Sequence, residues 1–149
     1  LRYSKETVYY PLHYTCMDPV VHFEMPAEDK ERMKEFYTSV FGWKAQQMGP
    51  EMGNYVVVHT SETDEHGMVK TPGMINGGFF EKTKENRHPS VVIAVDDIYA
   101  HMKKVRDAGG TVLGGMKPGE PDDIPGVGLY VSCIDTEGNR VGMLQPKRM

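Results

Sequence analysis

The sequence predicts an α+β fold of two tandem βαβββ modules whose curved mixed sheets enclose a cavity. Three observations carry this expectation. An extended stretch that ends in an acid, followed by a helix-like run closed by glycine, occurs twice: Val21 to Asp29 with its run to Phe41-Gly42, and Val91 to Asp96 with its run to Gly109-Gly110. Acid and closing glycine stand 13 residues apart in both copies, the signature of an internal repeat. Each helix-like run carries its apolar residues on one face, and each is followed by short strand-like segments punctuated by glycine and proline.

The elements follow in order. Val20–Met25 reads as a strand. The helix is expected over Glu28–Phe41, because Met33, Phe36, Tyr37, Val40 and Phe41 fall at i, i+3, i+4, i+7 and i+8. Asp29 suits its N-terminus and Gly42 its stop; Lys30, Glu31, Lys34 and Glu35 face solvent. Trp43–Met48 and Asn54–Thr60 read as strands joined at Gly49–Gly53, Ser61–Gly73 as a loop and Met74–Glu81 as the fourth strand. The second copy gives a strand at Ser90–Val95, a helix at Asp97–Ala108 with Ile98, Met102 and Val105 on one face, and strands at Thr111–Met116, Leu129–Ile134 and Arg140–Gln145. Gly114–Gly128, with Pro118, Pro121 and Pro125, is expected to be largely loop. Its acids Glu120, Asp122 and Asp123 invite a lid reading beside that of a plain solvated connection. Each four-stranded sheet must cover an apolar face, and two such sheets can curl around one cavity.

A chain of 149 residues can bury a core in one domain, expected over 17–149 with modules at about 20–84 and 88–146. Residues 1–16 are Tyr-rich and lack helical or strand rhythm; they read as an N-terminal arm, or as lying before a start at Met17. The net charge of −4 and the lack of a basic cluster argue against nucleic acid and anionic membrane as partners. No apolar run approaches the roughly 20 residues of a membrane span, and no signal-peptide pattern is present, so the cytoplasm is the expected compartment. Cys16 and Cys133 lack metal-type spacing and read as free thiols.

Four segments, in order, resemble the vicinal oxygen chelate superfamily of glyoxalase I, bleomycin- and fosfomycin-resistance proteins and extradiol dioxygenases. They are Glu28-Asp29 with Phe36-Tyr37 and Phe41-Gly42-Trp43; Val95-Asp96-Asp97 with Ala108-Gly109-Gly110; Gly126-Val127-Gly128; and Asp135–Arg140. The resemblance implies the glyoxalase/bleomycin-resistance/dihydroxybiphenyl dioxygenase-like fold, a symmetric homodimer and, in the enzymes, a divalent metal held by His and Glu from matching strands. It does not fix a reaction, since the fold hosts many. His22, seven residues before Asp29, stands at the family's first ligand position. The other ligand positions carry Ser90, Gly142 and the run Asn76-Gly77-Gly78.

The usual metal set is therefore absent from the sequence, and the expectation is no metal cofactor. His22 and Glu24 lie two apart on a strand and share a face. They read either as a polar pair on a cavity wall, able to do acid–base chemistry, or as the start of a rearranged divalent metal site completed by His88 or His66. His59 is on a strand; His13 and His101 read as surface or interface residues. The expected role is binding of an unidentified small molecule, or enzyme-like chemistry on one. His22 and Glu24 are the catalytic candidates, and Asn76, Ser90, Tyr130 and Gly142 the ligand-lining ones. Alternatives are a metal-dependent lyase, isomerase or dioxygenase with displaced ligands, and a non-catalytic interaction module.

Overall fold

The computed structural model describes residues 17–147; the expected N-terminal arm, with His13 and Cys16, lies outside the described residues. The first module runs β1 (Val20–Ala27), α1 (Lys30–Phe41), β2 (Lys44–Gln47), β3 (Val56–His59) and β4 (Asn76–Glu81). The second runs β5 (Ser90–Ala94), α2 (Ile98–Asp107), β6 (Thr111–Gly114), β7 (Asp122–Ile124), β8 (Gly128–Ile134) and β9 (Arg140–Pro146). The strands form one continuous sheet in the order β2-β3-β4-β1-β5-β9-β8-β6, with β7 paired to β8. The curved sheets of the two modules, as expected from the sequence, join into one: β1 and β5 pair antiparallel and stitch the modules edge to edge. The sheet curls but stays open and does not close into a barrel.

Both helices cover one face of this sheet. Strand alternation explains how. In the first module Val56, Val58 and Phe79 are fully buried, with Phe23, Met25, Met33, Tyr37 and Trp43 packed on them. In the second, Val131, Cys133 and Met143 meet Val95, Ile98 and Met102. Cys133 is thus a small core residue, and Met25 and Met143 fill the core beneath the helices. The residues between these in sequence point to the opposite, helix-free face.

Helix ends follow local chemistry. Asp29 accepts from Arg32 N at 3.0 Å, and Gly42, at φ 70°, closes α1. In the second module the capping acid is Asp97, not Asp96; its side chain accepts from Ala100 N at 3.0 Å. Counted from the caps, Ser90 stands as far before Asp97 as His22 does before Asp29, so the repeat is exact in the strands and shifts by one residue at the helix.

Two expectations need correction. Phe36, Val40 and Phe41 do not join the core but stay 52%, 55% and 58% exposed, because only Met33 and Tyr37 of α1 reach the sheet. Phe36, Tyr37, Phe41 and Trp43 instead pack on one another at the helix end, Tyr37 stacked on Phe41 and Trp43 and edge-on to Phe36. The segment 114–128 holds a strand, β7, whose Asp122 pairs with Tyr130 and accepts from Met116 N at 2.8 Å. Asp122 is therefore part of a fixed hairpin rather than a free lid acid.

Gly77 and Gly78 explain themselves in this packing. A Cβ on Gly77 would strike the Phe23 ring on the helix-covered face, and one on Gly78 would strike Tyr55 on the other. Each glycine lets an aromatic ring lie flat across β4. Gly77→Ala should therefore overpack the core and cost about 1–3 kcal/mol, read from urea unfolding. Adding Phe23→Leu to the same chain should recover part of that loss.

Candidate functional site

The helix-free face gathers polar side chains at the seam between the modules. On β1, His22 and Glu24 alternate with Phe23 and Met25 and so point away from the helices. The register sets Asn76 beside His22, Gly78 beside Glu24, and Ser90 across from Glu24. Tyr55 precedes β3 and alternates with buried Val56; Tyr130 lies in β8 and alternates with buried Val131. The two tyrosines occupy equivalent places in the repeat. Tyr55 lies over Gly78 of β4, and Tyr130 lies over Gly142 of β9. Both rings lean toward the seam, and both hydroxyls reach Glu24.

The hydrogen bonds run in one direction. Tyr55 donates to Glu24 Oε1 at 3.5 Å, and Tyr130 donates to Glu24 Oε2 at 3.3 Å. A tyrosine has one hydroxyl proton. Tyr55 also meets His22 Nε2 at 2.9 Å; when its proton is on Glu24, it accepts from the Nε2–H tautomer of the ring. In the same way Tyr130 accepts from Ser132 Oγ at 3.4 Å, and Ser132 accepts from Arg140 at 3.4 Å. Two donor chains, one from each module, converge on a single carboxylate.

Burial then sets protonation. It pushes the Glu24 carboxyl above its usual value, a rise partly offset by the hydroxyls of Tyr130 and Tyr55 and by the charge of Arg140. Burial lowers His22 to about 4, so its imidazole is neutral at physiological pH. Burial first, and the neighbouring Glu24 second, raise both Tyr55 and Tyr130, which keep their protons. A carboxylate whose pKa is raised by burial is a stronger base than an ordinary one.

Of the residues singled out in the sequence, His22, Glu24 and Tyr130 join this network. Ser90 and Gly142 adjoin it, Gly142 as the floor under Tyr130. Asn76 serves the backbone: its Oδ1 accepts from Thr60 N at 2.9 Å and Ser61 N at 3.1 Å. Tyr55, Ser132 and Arg140 were not singled out. The signal for Tyr55 was its alternation with Val56 and Val58, together with a glycine pair in the partner strand. Two shallow hollows beside α1, near Arg32 and Phe36, lie away from this network.

The residues do not fit the family's metal. The space that side chains at positions 78 and 142 would use is filled by the Tyr55 and Tyr130 rings. His22 Nε2 is engaged by Tyr55. Neither His88 nor His66 comes together with His22 and Glu24. Among the described residues one other group has metal-like composition, Asp18, Asp96 and His101. It lies about 20 Å from Glu24 along β1, at a strand's rise of roughly 3.3 Å per residue. His101, expected at the surface or an interface, has a side chain 13% exposed, with Nε2 3.0 Å from Asp18 and Nδ1 2.8 Å from the Asp97 carbonyl.

Opposite pH responses follow. His22 has a folded value near 4 against 6.5 unfolded. As pH falls from 6.5 to 4 the unfolded chain takes up a proton that the folded chain refuses, so stability is lost. His22→Gln should remove an acid penalty of about 1–3 kcal/mol over that window, read by urea unfolding at each pH. The His22 ring proton in NMR should titrate with a midpoint near 4. Glu24 has the reverse sign. Its raised folded value makes stability greatest below the unfolded carboxyl value and lower once pH exceeds the folded one, so Glu24→Gln should stabilise at neutral pH and lose that gain in acid.

Comparison with known proteins agrees with this architecture. Residues 20–61 match the family described as bleomycin resistance protein-like N-terminal. A protein of Vibrio cholerae serotype O1 named "Probable lactoylglutathione lyase" is 25% identical over 131 residues, 87% of this chain and 91% of that one. Among solved structures, a methylmalonyl-CoA epimerase of Streptomyces coelicolor in complex with 2-nitronate-propionyl-CoA superposes with a TM-score of 0.61 at 17% identity, over 87% of this chain and 97% of that one. The methylmalonyl-CoA epimerase of Mycobacterium tuberculosis gives 0.60 at 13%, over 92% and 95%. At these identities the structural likeness carries the fold alone. Repeat, sheet order, the family match over residues 20–61 and the relative all indicate the vicinal oxygen chelate superfamily, and the chain has its fold.

Proposed function

We propose that the chain binds a small organic molecule on the helix-free face and that Glu24 removes a proton from a carbon beside the molecule's carbonyl group, with no metal ion taking part. The observation that carries this reading is the half-buried Glu24 carboxylate, bracketed by the Tyr55 and Tyr130 hydroxyls and raised in pKa. The C–H bond breaks, its proton passes to Glu24, and its electron pair moves onto the carbonyl oxygen as an enolate. A protonated Glu24 needs fewer donors than a carboxylate. One tyrosine hydroxyl is thereby released at the moment when the enolate oxygen needs a hydrogen bond. Return of the proton to either side of the carbon completes an isomerisation or epimerisation. The structural neighbours named methylmalonyl-CoA epimerase support this reaction class, since inverting a carbon centre can proceed by such a proton transfer.

A symmetric homodimer belongs to the same proposal and is read by sedimentation. A metal-dependent reading has one observation in its favour, the Asp18–Asp96–His101 group, but that group is remote from the donor chains.

The test is deuterium exchange. A panel of small ketones, thioesters and 2-oxo acids is incubated with the protein in D2O, and loss of the C–H signal is followed by NMR. Exchange should fall by about 100-fold or more in Glu24→Gln and should survive a strong chelator. Exchange unchanged in Glu24→Gln removes Glu24 as the base; exchange abolished by the chelator removes the metal-free mechanism.

A further inference from the structure

Arg140 stands at the first position of β9, two residues before Gly142, and points to the helix-free face. A fixed turn delivers it there. Asp135 accepts from the backbone N–H groups of Glu137 at 2.9 Å and Asn139 at 2.8 Å, and the Asn139 side chain donates back to Asp135 at 2.9 Å. The guanidinium is half-buried, and its recorded hydrogen bond goes to the buried Ser132 hydroxyl. Among the described residues no carboxylate lies within 4.0 Å of it. Hydrogen bonds through Ser132 and Tyr130 link it to Glu24.

A guanidinium keeps its proton at any physiological pH and carries five donors in a planar fork. Holding it partly out of water costs free energy unless an anion meets it. Among the described residues no carboxylate meets it directly: Glu24 is engaged by the two tyrosine hydroxyls and is linked to Arg140 only through Tyr130 and Ser132. What the fork lacks is a direct partner with two acceptor oxygens in a plane. A carboxylate supplies that and can pair with the fork through two parallel hydrogen bonds. A phosphate dianion would bring two charges to a single cation.

We propose that Arg140 anchors the carboxylate of a small organic acid, and that carbon acids bearing a carboxylate are the substrate class of this site. The inference rests on the reading of Glu24 as the base, and it gives that base a direction. The anchored carboxylate lies at one end of the Arg140–Ser132–Tyr130–Glu24 chain and the reacting carbon at the other. Three links of ordinary hydrogen-bond length limit the separation to about 10 Å, so the acid is short. An anion seated on Arg140 also cancels the charge that holds the Glu24 pKa down, so substrate binding makes Glu24 a stronger base.

The test measures binding and exchange separately. Acetate, propionate, phenylacetate and 2-oxobutanoate, each with its neutral amide, are titrated by calorimetry into wild-type protein, Arg140→Gln, Arg140→Lys and Glu24→Gln. Circular dichroism checks that each variant is folded. At least one acid should bind wild type tenfold or more tightly than its amide. Arg140→Gln should erase that preference, and Arg140→Lys should retain part of it, since a point charge replaces the fork. Glu24→Gln should keep or strengthen acid binding while losing deuterium exchange into 2-oxobutanoate. If no acid in the panel is preferred over its amide, or if both Arg140 variants keep the full preference, the anchor is overturned, whatever becomes of Glu24. If Arg140→Gln erases the preference while Glu24→Gln still exchanges, the anchor stands and the base assignment fails.

Discussion

The antiparallel pairing of β1 with β5 is the constraint on which the rest depends. It fuses the two modules into one sheet and sets Glu24 across from Ser90 at the seam. It also relates the modules by an approximate twofold, so that equivalent strands present equivalent residues from opposite sides. Tyr55 and Tyr130 are such equivalents, and the seam is where both can reach one carboxylate. A single module would supply one tyrosine and half of the donor chain. The repeat is therefore more than a packing device; it is how a short chain builds a two-sided environment around one side chain.

The same symmetry accounts for the loss of the family's metal positions. Gly78 and Gly142 lie at equivalent points of β4 and β9, each beneath a tyrosine ring. A ligand side chain at either place would have to displace that ring. The glycines are therefore the geometric condition for a site built on phenols rather than vacancies in a metal site. His22 follows suit: with Nε2 on Tyr55 and its pKa lowered by burial, it serves as a neutral donor at the end of a chain.

Much of this was legible in the sequence, and the limits have physical causes. Apolar periodicity and capping residues gave both helices and most strands, because these are local signals. The continuous sheet was not legible, because the β1–β5 pairing joins residues about seventy apart and no local rule specifies it. Strand β7 was hidden by Pro121 and Pro125, which suit the edge of a sheet as well as a loop. The outer residues of α1 looked like core because periodicity reports which residues share a face, not how far that face reaches the sheet. At the site, His22, Glu24 and Tyr130 stood out by chemical type and alternation. Arg140 did not, because a charged residue beside a turn ordinarily faces solvent; only its half-burial and its bond to Ser132 set it apart.

The direction of the hydrogen bonds is the argument that ties the site together. A network of hydroxyls can usually reverse, each group trading donor for acceptor roles. The arm through Tyr130 and Ser132 cannot while Glu24 is ionised, because its ends are fixed: a guanidinium has no acceptor, and a carboxylate has no donor. Arg140 thus polarises Ser132 and Tyr130 toward Glu24, while the neutral imidazole of His22 does the same through Tyr55. Protonation of Glu24 turns one of its oxygens into a donor and frees one of the two tyrosine hydroxyls. The chemistry that such an arrangement suits is one in which a proton arrives at Glu24 as negative charge develops nearby, which is what forming an enolate beside it would require.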